Sequence, residues 1–274
     1  MNEINEKIKE AIQKKLPLTF GKIGGFEASH LHTYLSTNDP KLVRGNSLSV
    51  NAGITTRNSQ ELKLWCEYYI QSIKNLDYVL EWCTEQGDTY VLDKIWDGEK
   101  RFEGFSGLEP FTHEEEGWHY SLGNKKILVV SPFKDTILQQ SQHYDKIWKN
   151  ATPPKEVHVV KSQFSAATRG EESPKPFYKH LSRMKSEIQN YDFDFAVVGC
   201  GGFSLILLEH IKKMGIPAVH LGGATQILFG IRGKRWDNNS TFVDSNWYGG
   251  EHWIRPLPHD IPQKANLVEG GCYW

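Results

Sequence analysis

The sequence predicts an α/β fold, a Rossmann-like parallel sheet with helices on both faces, from three observations. Apolar runs of strand length alternate with helical patterns from Lys125 to Gln226. The run Lys125–Pro132 is apolar throughout, as a strand covered on both faces requires. Glycine turns follow several of the strands, where a chain leaving a parallel sheet enters a helix.

In chain order, Ile4, Ile8 and Ile12 at helical spacing predict an opening helix to about Lys15. Leu16–Ile23 reads as a short strand ending in Gly24-Gly25, with a helix from about Glu27 to Leu35. The polar stretch Asn46–Arg57 reads as a loop. Ser59–Cys83 places Leu62, Trp65, Tyr69, Ile70, Ile73, Leu76 and Leu80 at helical spacing and predicts one or two helices. The pattern breaks from Gly87 to Gly123, where Asp97–Phe111 and His113–Tyr120 suggest an irregular lid or long connection.

The second half is more regular. Strands are expected at Lys125–Pro132, Glu156–Lys161, Phe193–Val198 and Pro217–Leu221. The helices between them run to about Trp148, over Pro176–Gln189 and over Ser204–Met214, with a short one from Ala224. From Gly233 the chain is rich in Trp, Asn, Gly and Pro and has no period. One α/β domain over 1–274 is expected, with 233–274 wrapping the ligand edge of the sheet.

At 274 residues the chain is near the upper size for one hydrophobic core. A net charge of -1 argues against a nucleic-acid binder, which needs a basic excess to neutralise phosphates. Mean hydropathy is -0.51, and no apolar run approaches the roughly 20 residues of a spanning helix. The charged N-terminus lacks the apolar centre of a signal peptide, so a cytoplasmic location is expected. A homo-oligomer is compatible with this composition. Cys66, Cys83, Cys200 and Cys272 have neither metal nor disulfide spacing and read as small buried residues. Histidines such as His30, His32 and His220 show no ligand spacing, so no metal site is expected from the residues alone. Trp96, Trp118, Trp236, Trp247, Trp253 and Trp274 suit either stacking on sugars or packing under long loops.

Ligands of open parallel sheets bind at the carboxyl ends of strands. The candidate turns are Gly24-Gly25, Gly199 to Ser204 with Gly201 and Gly202, and Gly222-Gly223 with Thr225 and Gln226. Each also reads as a turn that merely closes tightly. The second carries only part of a dinucleotide fingerprint, because Ser204 occupies the third glycine position and no acidic residue follows the next strand. A nicotinamide-dependent reductase stays as a competing reading. Arg232, Lys234 and Arg235, beside Trp236, would suit a diphosphate; a solvated surface run is the alternative. Glu27 follows the first turn as a candidate general base or metal ligand, or as a first-turn Glu favoured by the helix dipole.

Phe20-Gly21-Lys22-Ile23-Gly24-Gly25-Phe26-Glu27 resembles the opening motif of bacterial glycosyltransferases with the GT-D fold, in which an Asp-x-Glu pair follows a strand. Asp194–Gly202, His220–Gln226, Gly233–Asp237 and the closing Val268–Trp274 are similar to the GT-D-like branch of that group. The resemblance implies transfer of a sugar from a nucleotide-sugar to a glycan or glycoprotein acceptor, in building surface polysaccharide or glycoprotein glycan. It would bring Mg²⁺ or Mn²⁺ as cofactor, but Gly25 stands at the Asp position and leaves Glu27 alone. With no metal ligand assigned, Glu27 is the expected catalytic carboxylate. The glycine turns named above, Ser204, Thr225, Gln226, Arg232, Lys234, Arg235 and Trp236 are the expected donor-binding residues. A catalytically silent nucleotide-sugar-binding partner of a glycan-assembly complex is the alternative that the missing Asp favours.

Overall fold

Helix α1 (Glu3–Lys14) carries Ile4, Ile8, Ala11 and Ile12 on one fully buried stripe and leads into β1 (Thr19–Lys22). The computed structural model describes residues 3–39, 45–81, 87–104, 107–111, 117–163 and 175–274. After β1 come α2 (Gly25–Thr37), α3 (Gly45–Asn51), α4 (Ser59–Lys74), β2 (Tyr78–Glu81), α5 (Asp88–Ile95) and β3 (Lys100–Glu103). The second half runs β4 (Lys126–Ser131), α6 (Lys134–Ser141), α7 (Tyr144–Ile147), β5 (Glu156–Lys161), α8 (Phe177–Ile188), β6 (Phe195–Val198), α9 (Ser204–Lys213) and β7 (Ala218–His220). Short helices α10 (Thr225–Leu228), α11 (Lys234–Asp237) and α12 (Ser240–Val243) precede an irregular C-terminal stretch of 3₁₀ turns.

The strands form one sheet in the order β3-β2-β1-β7-β6-β4-β5, and every pairing is parallel. This is the expected Rossmann-like architecture. Strand side chains alternate between two cores, as the two-residue strand period demands. Ile127, Val129, Phe195, Val197 and Val219 join α1 and α6 on one face. Leu128, Val130, Ala196, Val198 and Ala218 join α2, α4, α8 and α9 on the other. The edge strands β3 and β5 carry Lys100, Arg101, Glu103, Glu156 and Lys161, charges that discourage pairing with another chain.

The first half differs from the sequence expectation in three places. Within the expected loop Asn46–Arg57, Gly45–Asn51 forms α3, anchored in the core by its own Leu48 and by Ala52 and Ile54 just after it. The expected helical stretch Ser59–Cys83 ends at Lys74, and Tyr78–Glu81 is a strand buried along its whole length. Four apolar-rich residues are too few for periodicity to separate strand from helix. The stretch read as irregular from Gly87 contains α5 and the edge strand β3; its residues 105–106 and 112–116, like Cys83, lie outside the described ones. The tryptophans mainly pack. Phe111, Trp148, Trp247 and Trp253 pack ring against ring with centroids 5.5–6.2 Å apart, and Trp118 is fully buried.

Asp260 ties the C-terminal stretch to the sheet. Its buried carboxylate accepts from Thr136 N and Oγ1 and from Lys161 Nζ, each at 2.8 Å. Burial opposes the charge, but the bonds from Lys161 and Thr136 outweigh it and hold the carboxyl below its ordinary range. A depressed acid stabilises the fold above its unfolded pKa and loses that contribution as pH falls through the folded value. Asp260→Asn is expected to cost about 1–3 kcal/mol at pH 7, with the difference from wild type shrinking below about pH 4. Urea unfolding at both pH values checks it; an equal deficit at both would rule out the ionic contribution.

Candidate functional site

Parallel strands all finish at one edge, and there the chain encloses a cavity of about 850 Å³. Its wall includes Lys22 and Gly24–Glu27 after β1, Ser131–Phe133 after β4, Ser162 after β5, Gly199–Gly201 after β6, and His220 with Gly222–Gln226 at β7. Asn51–Gly53, Glu109, Arg235, Trp236, Glu269 and Tyr273 complete it.

Of the expected site residues, Gly24, Gly25, Glu27, Gly199, Gly201, Gly222, Gly223, Thr225, Gln226, Arg235 and Trp236 therefore share one cavity. Gly202, Ser204, Arg232 and Lys234 do not line it. Gly202 is packed against Ile54, where a Cβ would come within 2.5 Å, and its carbonyl accepts from Trp65 Nε1 at 3.0 Å. Ser204 Oγ accepts from Cys200 N at 3.0 Å and so closes the β6 turn on itself. Arg232 is bound to Asp237, a carboxylate that also takes Tyr248 and Arg255. Lys234 points outward and is exposed.

The glycine turns differ in what their N–H groups do. At β6, Gly199 N donates to Val130 O at 2.8 Å and Gly202 N to Ala52 O at 2.8 Å. Those donors serve the fold. After β1 and β7, the N–H groups of Gly25, Phe26 and Gly223 have no acceptor among the described residues. They remain available at the cavity wall.

Glu27 stands on the first turn of α2 and is 6% exposed. Its carboxylate folds back over Gly24, where a Cβ would sit 2.2 Å from Oε2. Burial pushes its pKa up to about 7, against one backbone hydrogen bond that favours the charge. It has no ion-pair partner among the described residues, whereas the cavity's other carboxylates, Glu109 and Glu269, pair with Lys22 and Arg235. A carboxyl poised near neutrality can accept or return a proton. Burial also pushes the Cys200 thiol up to about 12, which excludes a thiolate nucleophile at neutral pH.

His220 is likewise buried, and burial lowers its pKa to about 4, leaving the ring neutral. Its Nδ1 lies 3.0 Å from Val198 O and 3.3 Å from Gly222 N, donating to the first in one tautomer and accepting from the second in the other. Thr225 Oγ1, Gln226 Oε1 and Asn51 Oδ1 of wall residues are buried and have no hydrogen-bond partner among the described residues. Such atoms are costly to the fold, and they lie beneath the cavity surface rather than on it.

Among the described residues the cavity offers a divalent cation one carboxylate outside an ion pair, Glu27, and Gly25 adds no side chain, so the protein by itself does not complete a coordination shell. Asp135, His259 and Asp260 lie close enough together to hold an ion, but none lines the cavity and Asp260 is already committed.

Sequence reasoning missed Ser131–Phe133, Asn51–Gly53, Glu109, Glu269 and Tyr273. The carboxyl-end rule points to Ser131–Phe133, since they follow the clearest strand. Glu109 and Glu269 lie in stretches without period and have no such signal. No protein-family model, curated protein or solved structure matches the chain.

A raised carboxyl pKa lowers stability as pH rises from the unfolded value towards the folded one. Glu27→Gln is therefore expected to stabilise the protein by about 3 kcal/mol above pH 8, with the gain vanishing near pH 4. Denaturant unfolding from pH 4 to 9 checks this; a gain independent of pH would mean that Glu27 does not titrate near 7.

Proposed function

We propose that the protein is a glycosyltransferase of the GT-D kind. It takes a nucleotide-sugar donor and a glycan or glycoprotein acceptor, and works in the cytoplasm on bacterial surface polysaccharide or glycoprotein glycan. One observation carries the reading: at the ligand edge of a parallel sheet, one cavity brings together a buried carboxyl with a pKa near 7 and two cations. The carboxyl suits an acceptor hydroxyl, and the cations suit a diphosphate.

In this reading an acceptor hydroxyl attacks the anomeric carbon of the donor. Glu27 takes the hydroxyl proton as the new glycosidic bond forms and the bond to the nucleoside diphosphate breaks. The departing group carries the negative charge, which Lys22 and Arg235 balance electrostatically.

A silent nucleotide-sugar-binding partner is favoured by Gly25, which leaves Glu27 without a companion carboxylate. That reading expects binding without turnover.

The test is thermal unfolding against nucleotide-sugars, free nucleotides and NAD(P), each with and without Mg²⁺ or Mn²⁺. A ligand at a hundred times its Kd adds about 2.7 kcal/mol, which a melting curve resolves. Stabilisation by one nucleotide-sugar without metal is expected, and NAD(P) alone would move the assignment to a reductase. With the donor known, Glu27→Gln is expected to lower turnover about 10²- to 10⁴-fold while leaving the fold intact. Undiminished turnover would remove Glu27 from the chemistry.

A further inference from the structure

We propose, on the nucleotide-sugar reading above, that Lys22 rather than the basic run at 232–235 receives a phosphate of the ligand, and that Glu109 is a built-in counter-ion which the phosphate displaces. Lys22 ends β1, a strand inside the sheet with β2 and β7 on either side. Its side chain is 7% exposed, yet it lines the cavity, and its Nζ lies 3.0 Å from Glu109 Oε1. Lysine is rarely buried this far without a specific use for its charge.

Glu109 is held in place independently of Lys22. Its neighbour Leu108 is fully buried and accepts from Trp118 Nε1 at 3.0 Å, and Phe111 is buried two residues on. The carboxylate is therefore presented to Lys22 by the core on that face of the sheet. Gly222 lies beside the pair. It has φ +62, and a Cβ there would find nothing nearer than His220 Cε1 at 3.6 Å and Lys22 Cε at 3.8 Å. The neutral His220 ring adds no competing charge at that place.

The basic run offers less. Arg232 is committed to Asp237 and, with Lys234, lies off the cavity. Arg235 does reach the wall, but its side chain is 41% exposed and bound to Glu269, so solvent screens it. An ammonium already desolvated and fixed acts on an incoming phosphate through a lower dielectric than an exposed guanidinium. The exchange is ionic and breaks no covalent bond: the phosphate takes the place of the Glu109 carboxylate at Nζ.

Calorimetric titration of the full chain with UDP, GDP and inorganic pyrophosphate, and with the neutral nucleosides uridine and guanosine, tests this. Glu109→Gln removes the competitor and is expected to tighten diphosphate binding about tenfold. The double variant Lys22→Met with Glu109→Gln, which removes both charges of the pair, is expected to bind diphosphates about ten- to a hundredfold more weakly than Glu109→Gln alone. Nucleoside binding should not change between these two variants, which separates loss of the cation from general damage. Equal diphosphate affinity in the two overturns the role of Lys22, and unchanged affinity in Glu109→Gln overturns displacement. If neither wild type nor Glu109→Gln binds any diphosphate, the nucleotide-sugar reading itself falls.

Discussion

Parallel pairing across seven strands constrains everything else in this molecule. Each strand must run the same way as its neighbours, so each must be followed by a crossover, and the crossovers cover both faces of the sheet. All strands then finish at one edge. Turns distant in sequence, after Lys22, Ser131, Val198 and His220, are brought to one wall without any direct code for their meeting. The cavity is a consequence of that geometry, and the C-terminal stretch closes over it through Arg235, Glu269 and Tyr273.

Burial does two kinds of work at this edge. It removes the water that would hold Glu27 ionised, and no cation replaces that water, so the carboxyl moves into the neutral range. It also protects the Lys22–Glu109 contact from screening. At Asp260 the same burial is offset by hydrogen bonds, and the carboxyl moves down instead. These acids differ in role because their partners differ, not because their side chains do. Asp260 is a tether, while Glu27 has the ionisation behaviour of a proton-transfer group.

The glycine turns repeat the contrast. Gly199 and Gly202 allow close approach, and the β6 turn spends its N–H groups on Val130, Ala52 and Ser204. The turns after β1 and β7 leave donors unspent at the cavity. All three look alike as strings of residues, and only their surroundings separate a packing turn from a binding one.

The fold class was legible because a both-faces-buried strand leaves an uninterrupted apolar run, as in Lys126–Ser131, and long amphipathic helices leave a period, as in Phe177–Ile188. Glu27 and the turns at Gly24, Gly199 and Gly222 could likewise be picked out, since strand-to-helix turns announce themselves by glycine. Short elements could not: β2 and α3 are too brief to show a period, and both depend on packing supplied by the rest of the chain. Nor could the charges be sorted. Arg232, Lys234 and Arg235 are adjacent in sequence, yet one is bound to Asp237, one faces solvent and one reaches the cavity. Lys22 meets Glu109, 87 positions away, only because the sheet places β1 beside that buried segment. Local pattern determines which residues can turn, pair and bury; which charges meet is decided by contacts between distant parts of the chain, and those exist only in the folded state.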